Sequence, residues 1–189
     1  MVFLAACGQD TKDIEVKEEE NQQGETAQQE ETAQPEEVEK EEEMLTSPEI
    51  LVPMDFSPCS VNALKVAVRM AEPEGDLTLL HVIDEEFVNA AVAAGMGSTD
   101  EIRARLKEQA ESNFSLVLEG LQTSQVDIEK MIVVGIPFVE ILKIARDLDL
   151  PLIVMGIRGQ SASAEELLFG STAEKVLRGT RVPVLCVPL

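Results

Sequence analysis

The sequence predicts an α/β fold: a doubly wound sheet of five parallel strands with helices on both faces. Five short apolar runs, rich in β-branched residues, have the length and composition of buried parallel strands. Four helical connections separate these runs, and right-handed crossovers between parallel strands place helices on both faces. The predicted strands are Ile50 to Met54, Leu77 to Ile83, Ile128 to Val134, Leu152 to Met155 and Val184 to Val187.

The first connection carries a clear helix start. Ser57 suits an N-cap, and Pro58 suits the first helical position, where its missing amide hydrogen is not needed. Val61, Leu64 and Val68 then recur at helical spacing and provide one buried face. We therefore predict a helix that begins directly after the first strand.

The later connections are interpreted in the same way. An Ala/Gly-rich connection follows the second strand, and Ser98 then opens a helix with Ile102 on its apolar side. The third strand is followed by Pro137 and a helix that Leu150-Pro151 closes. The last helix begins near Gly170 and leads into the fifth strand.

Charge is distributed very unevenly along the chain. The 189 residues carry 36 acidic and 15 basic side chains, a formal net charge of −21, and no Trp or Tyr. A general nucleic-acid binder is excluded, because phosphate contacts need a basic surface and base stacking needs aromatic side chains. Residues 1–44 alone hold 15 acids and 3 bases. We predict a disordered acidic tail over residues 1–47, which has almost nothing to bury, and one globular domain over residues 48–189.

The N-terminus and the cysteines bear on cellular location. Leu4-Ala5-Ala6-Cys7 is similar to a bacterial lipobox, whose cysteine is lipidated, and a polar tether follows at once. The residues before Cys7 are too few for a signal peptide, so a genuine lipobox needs an upstream start; the alternative is an apolar N-terminus without function. No apolar run approaches the roughly 20 residues that span a bilayer. Cys7, Cys59 and Cys186 show no paired spacing, so we expect no zinc site and no disulfide framework.

Two strand ends are the candidate site, because ligands of doubly wound sheets bind where the strand order reverses. Asp55 to Ser57 follow the first strand. After the fourth come Gly156-Ile157-Arg158-Gly159, ten further residues, and Gly170-Ser171-Thr172. Glycines and a helix start attract an anion such as phosphate, but a tight turn before a capped helix explains the same residues. The pattern is neither a Walker A loop nor a GxGxxG fingerprint.

Several sequence blocks together carry a family resemblance. They are Ile50 to Ser57, Leu79 to Ile83, Gly135 to Pro137, Leu152 to Gly156, Phe169 to Val176 and Pro183 to Pro188. In this order, over about residues 48 to 189, they resemble the universal stress protein family. The resemblance implies a Rossmann-like, five-stranded parallel domain that dimerises through its last strand, here Val184 to Val187. In the nucleotide-binding branch, a GxxG loop and a Gly-Ser/Thr pair cradle the phosphates of ATP.

The resemblance also implies roles for individual residues. Residues at the end of the first strand lie beside the nucleoside, Val82 contacts the base through its backbone, and Arg158 adds positive charge beside the phosphates. From its chemistry alone, we expect Asp55 either to hold a metal ion such as Mg²⁺ that bridges the phosphates or to hydrogen-bond the nucleoside. The implied binding residues are Pro53, Met54, Asp55, Val82, Met155, Gly156, Arg158, Gly159, Gly170, Ser171 and Thr172.

One departure concerns the phosphate-binding loop. Ten residues, Gln160 to Phe169, separate Gly159 from Gly170, where the family usually has nine. An additional residue in a loop that wraps phosphates is either absorbed as a bulge or disrupts the cradle.

The leading functional hypothesis is an ATP-binding regulatory module that acts through nucleotide-dependent dimer or partner contacts. The alternatives are a dimeric interaction module without nucleotide and a slow adenine-nucleotide hydrolase. No catalytic set is evident, since His81 and Cys186 fit a strand interior and Cys59 a packed helical turn. The resemblance favours the cytoplasm, whereas a lipidated Cys7 favours the cell envelope.

Overall fold

The chain folds around a parallel sheet of five strands. The computed structural model describes residues 49–121, 126–159 and 169–189. The strands are β1 (Glu49–Pro53), β2 (Asp76–Asp84), β3 (Asp127–Gly135), β4 (Leu152–Gly156) and β5 (Val184–Val187). They lie in the order β3-β2-β1-β4-β5, and every neighbouring pair is parallel. The direction of strand order reverses between β1 and β4, so the carboxyl ends of these two strands flank the switch point.

Five helices connect the described strands. They are α1 (Pro58–Ala71), α2 (Glu85–Ala93), α3 (Thr99–Glu119), α4 (Pro137–Asp147) and α5 (Ser171–Gly179). An Ala/Gly-rich connection was expected after the second strand, and helix α2 within it was not predicted. Helix α2 forms because Asp84 caps it and because Val88 and Ala91 bury one face.

The predicted helix starts are confirmed at Ser57 and Ser98. The Ser57 hydroxyl accepts a hydrogen bond from the Ser60 amide at 3.2 Å, with Pro58 as the first helical residue. Ser98 forms a reciprocal capping box with Glu101. Hydrogen bonds from the Ser98 backbone amide and then its hydroxyl lower the pKa of the Glu101 carboxyl. Both caps supply partners for amides that a helix start leaves unpaired.

Apolar side chains fill the space on both faces of the sheet, as the doubly wound prediction requires. Ile50 and Val52 of β1 point to a cluster shared with α1 and α3, which includes Leu64 and Phe114. Leu51, between them, points to the opposite cluster, formed with α4 and α5. Successive strand residues alternate between faces, so this alternation places helices on both sides and leaves the carboxyl ends of the strands open.

Candidate functional site

A cavity of about 430 Å³ opens at the carboxyl ends of the central strands. It lies at the switch point between β1 and β4, and the end of β2 and the first turns of α1, α4 and α5 border it. Every binding residue that the resemblance implied lines this cavity. These residues are Pro53, Met54, Asp55, Val82, Met155, Gly156, Arg158, Gly159, Gly170, Ser171 and Thr172.

The segment after β4 is held close to the first turn of α1. A Cβ atom added at Gly156 would lie 2.8 Å from the carbonyl carbon of Cys59 and 2.8 Å from the amide nitrogen of Ser60. No side chain fits between these backbones, so the contact between β4 and α1 requires glycine at this position. The structure therefore gives Gly156 a packing role that its sequence pattern did not reveal.

Backbone contacts join the GxxG segment, Gly156 to Gly159, to Gly170 at the start of α5. The Gly170 amide donates to the Ile157 carbonyl at 2.9 Å. A Cβ at Gly170 would lie 3.4 Å from the Gly159 amide nitrogen, and one at Gly159 would lie 2.7 Å from Oδ2 of Asp55. The GxxG segment, the start of α5 and the end of β1 thus converge within a few ångströms.

The start of α5 is suited to an anion. Gly170 is its N-cap and has no side chain with which to cap the first-turn amides. The first turn of a helix leaves these amides without intrahelical partners and concentrates the positive end of the helix dipole. Ser171, Thr172 and Ala173 all line the cavity at this point. The arrangement has the chemistry of a phosphate or carboxylate site.

Asp55 is fixed at the end of β1 by its local backbone. The Ser57 amide donates to Asp55 Oδ1 at 3.0 Å. Between them, Phe56 has a φ of 61°, a left-handed conformation that bulky residues rarely adopt. The Phe56 ring packs against His81 at 4.9 Å and Phe114 at 5.0 Å between centroids. These aromatic contacts hold the strained turn and with it the Asp55 carboxylate at the rim of the cavity.

His81 and the described cysteines are explained by packing. Nδ1 of His81 lies 2.7 Å from the Met54 carbonyl oxygen, so this ring has the hydrogen-bond partner expected of a histidine inside a strand. Cys59 belongs to the first turn of α1, and its side chain is buried. Cys186 is partly buried in β5, and burial raises the pKa of its thiol, which lowers its reactivity.

Residues at the other end of the cavity were missed by the sequence reasoning. Ile83, Asp84 and Phe87 line it from the end of β2 and the start of α2, and Leu106 lines it from α3. They were missed because no helix was predicted within the Ala/Gly-rich connection after the second strand. Asp84 followed by Glu85 and Glu86 was an available signal, since acidic residues favour the first turn of a helix.

Several predictions lie outside the described residues. The acidic tail over residues 1–47 and the lipobox at Leu4 to Cys7 fall wholly outside them, as does most of the ten-residue spacing between Gly159 and Gly170. In the part of the chain that is described, no helix has both the length and the apolar character needed to cross a membrane.

Comparison with known proteins identifies the family. A sequence model described as the Universal stress protein family matches residues 46–188. The chain belongs to the universal stress protein family. Universal stress protein MJ0577 of Methanocaldococcus jannaschii is 34% identical to this chain in an alignment 153 residues long that covers 74% of this chain and 93% of that relative.

Solved structures agree with this family assignment. The structure of MJ0577 is 33% identical, with a TM-score of 0.65, and covers 75% of this chain and 96% of that one. Universal stress protein UspA from Lactobacillus plantarum is 26% identical, with a TM-score of 0.58, and covers 74% of this chain and 97% of that one. The five-stranded parallel α/β fold is thus the fold of the family.

Proposed function

We propose that this universal stress protein binds ATP with Mg²⁺ in the cavity at the switch point, as a regulatory module whose dimer or partner contacts depend on the nucleotide. One observation carries the proposal: the GxxG segment, Gly170 and the start of α5 line the same cavity as the end of β1. Nucleoside and phosphate sites are therefore available side by side. At about 430 Å³, the cavity falls within the usual size range of small-molecule pockets.

The phosphates are assigned to the α5 end of the cavity. The N-cap residue, Gly170, has no side chain with which to cap the first-turn amides, and the helix dipole adds positive potential. Arg158 also lines the cavity, and the proposal assigns its guanidinium to the phosphate side. The nucleoside is assigned to the opposite end, along Val82 and the residues that follow it.

Electrostatics support a requirement for Mg²⁺. The chain has a formal net charge of −21, and the described cavity lining contains Asp55 and Asp84 but only one Arg or Lys, Arg158. A polyphosphate that enters this field alone is repelled. No group of three or more His, Cys, Asp or Glu that could hold a metal occurs within residues 49–121, 126–159 and 169–189. The ion therefore fits as one bound mainly by phosphate oxygens and water, with a single carboxylate such as Asp55.

Calorimetry on the full chain tests the proposal. ATP with Mg²⁺ is expected to bind with micromolar affinity, and removal of Mg²⁺ is expected to weaken binding by about tenfold or more, because the repulsion is then unscreened. If the folded protein binds no ATP, the alternative hypothesis of a dimeric interaction module without nucleotide is favoured. ATP hydrolysis well above background would instead favour the hydrolase alternative.

The proposed homodimer uses β5. This strand is an outer strand of the described sheet, and it leaves Leu185 38% exposed, with Leu189 beyond it 85% exposed. Pairing of two β5 edges would bury this apolar surface and satisfy edge backbone groups. The proposal places this dimer in the cytoplasm, where ATP is abundant. A lipidated Cys7 at the cell envelope is the alternative location.

A matched pair of edge variants tests this interface. Leu185→Lys is expected to convert the dimer to a monomer, as measured by light scattering after size-exclusion chromatography, because it places a charge in the pairing face. Val134→Lys is the control, since Val134 is 39% exposed on the opposite outer strand, β3. A monomeric Val134→Lys with a dimeric Leu185→Lys would assign the interface to β3 instead.

A further inference from the structure

The nucleoside end of the cavity presents an unusually exposed aromatic side chain. Phe87 lines this end and is 56% exposed. Among the described residues, Phe169 is 38% exposed, Phe114 is fully buried, and Phe56 and Phe138 pack at least partly within the core clusters. Exposure of a large apolar ring has a cost in water, so a ring left open at a cavity rim is a candidate ligand contact.

Helix α2 holds Phe87 firmly at this position. The next residue, Val88, is fully buried, and Ala91 is 6% exposed in the same cluster. This cluster anchors α2 to Ile83 of β2 and Ile102 of α3. Asp84 caps the helix by accepting a hydrogen bond from the Glu86 amide at 2.9 Å. Because a helical residue points about 100° from its neighbour, the buried face of Val88 fixes Phe87 toward the rim.

The surroundings of Phe87 match a nucleobase better than a phosphate. Two aliphatic residues, Leu106 and Ile83, line the same cavity as Phe87. Asp84 also lines this cavity, and a carboxylate there repels phosphate oxygens and can accept a hydrogen bond from an amino group. A flat apolar ligand with exocyclic nitrogen, such as adenine, satisfies each of these groups.

We infer that Phe87 stacks on the base of the bound nucleotide and favours purines over pyrimidines. This inference rests on the proposed function and assigns one wall of the base site to a residue of α2. The physical reason is that a stacked ring removes apolar surface of both partners from water, and a two-ring purine covers more of the ring face than a pyrimidine.

Variants of Phe87 test the inference when their binding is measured for two ligands, ATP and inorganic triphosphate, of which only ATP carries a base. Phe87→Ala in the full chain is expected to weaken ATP binding by roughly tenfold, the effect of losing one base–aromatic stack. Binding of inorganic triphosphate, which has no base, is expected to remain within about twofold, within the error range of additive effects at separate sites. Phe87→Trp retains a ring face and is expected to preserve ATP affinity. Calorimetry with Mg²⁺ measures all three.

The matched control is Met96→Ala. Met96 is 59% exposed just beyond α2 and does not line the cavity, so its truncation is expected to leave ATP affinity unchanged. If the wild-type chain binds ATP and Phe87→Ala binds it with equal affinity, the inference is overturned and the proposed function stays intact. Equal losses of ATP and triphosphate binding would also overturn it, because Phe87 would then support the whole cavity. A wild-type chain that binds no ATP would overturn the proposed function and this inference with it.

Discussion

Replacement of Gly170 by valine is expected to reduce ATP affinity by at least about 100-fold while the sheet remains folded. A Cβ at Gly170 would already lie 3.4 Å from both the Arg158 Cα and the Gly159 amide nitrogen. The branched methyl groups of valine would occupy the space between the GxxG segment and the α5 amides. Loss of two charge-assisted hydrogen bonds to phosphate, each worth ~1.5–3 kcal/mol, accounts for this reduction.

The fold should tolerate this change, because Gly170 has φ −70° and ψ 158°, an extended conformation that valine readily adopts. Gly170→Ala is the graded control, with its single methyl at contact distance and an expected affinity between wild type and valine. Affinity is measured by calorimetry and folding by circular dichroism. Undiminished ATP affinity in folded Gly170→Val would show that the phosphates do not lie at the start of α5.

Replacement of Gly156 by alanine is expected to destabilise the protein by about 1–3 kcal/mol, as overpacking of a closed interface does. The added methyl group would lie 2.8 Å from backbone atoms of Cys59 and Ser60, closer than van der Waals contact allows. Backbone cannot rotate aside as a flexible side chain can, so α1 must move away from β4. Urea unfolding followed by circular dichroism measures the change.

Gly120→Ala is a matched control for this substitution. Gly120 caps α3 at a φ of −81°, and a Cβ there would meet nothing closer than 3.6 Å. The free energy of unfolding of the Gly120→Ala variant is expected to stay near the wild-type value or rise slightly, since alanine lowers the entropy of the unfolded chain. Equal stabilities of Gly156→Ala and Gly120→Ala would contradict the close contact between α1 and β4.

Local signals in the sequence predicted most of the architecture. β-Branched apolar runs located every described strand to within one residue at each end, and Ser57 and Ser98 located two helix starts. Such signals succeed because an N-cap acts on amides a few residues away and because buried parallel strands are rich in apolar, β-branched residues. The connection after β2 was misinterpreted, because α2 is short and Ala-rich and is stabilised by packing of Val88 and Ala91 more than by its own sequence pattern.

The candidate binding residues came from motif resemblance, and the structure brings all of them to one cavity. Their roles in binding stay predictions. The motif spacing identified Gly156 and Gly170 as candidate binding residues but did not show that the two glycines have different structural roles. In the structure, Gly156 allows the backbone of α1 to approach β4, whereas Gly170 donates a backbone hydrogen bond to Ile157 and has no side chain with which to cap the α5 amides.

By itself, the sequence determined the order of the strands along the chain, the helix caps at Ser57 and Ser98, the acidic charge and the family. Only the tertiary structure decided which glycine serves packing, that Phe56 holds a strained turn beside Asp55, and that Phe87 faces the cavity. The physical reason is the range of the interactions. Caps and burial patterns act between near neighbours in the chain, whereas Gly156 meets Cys59, and Phe87 shares a cavity with Gly170, only after the sheet has assembled.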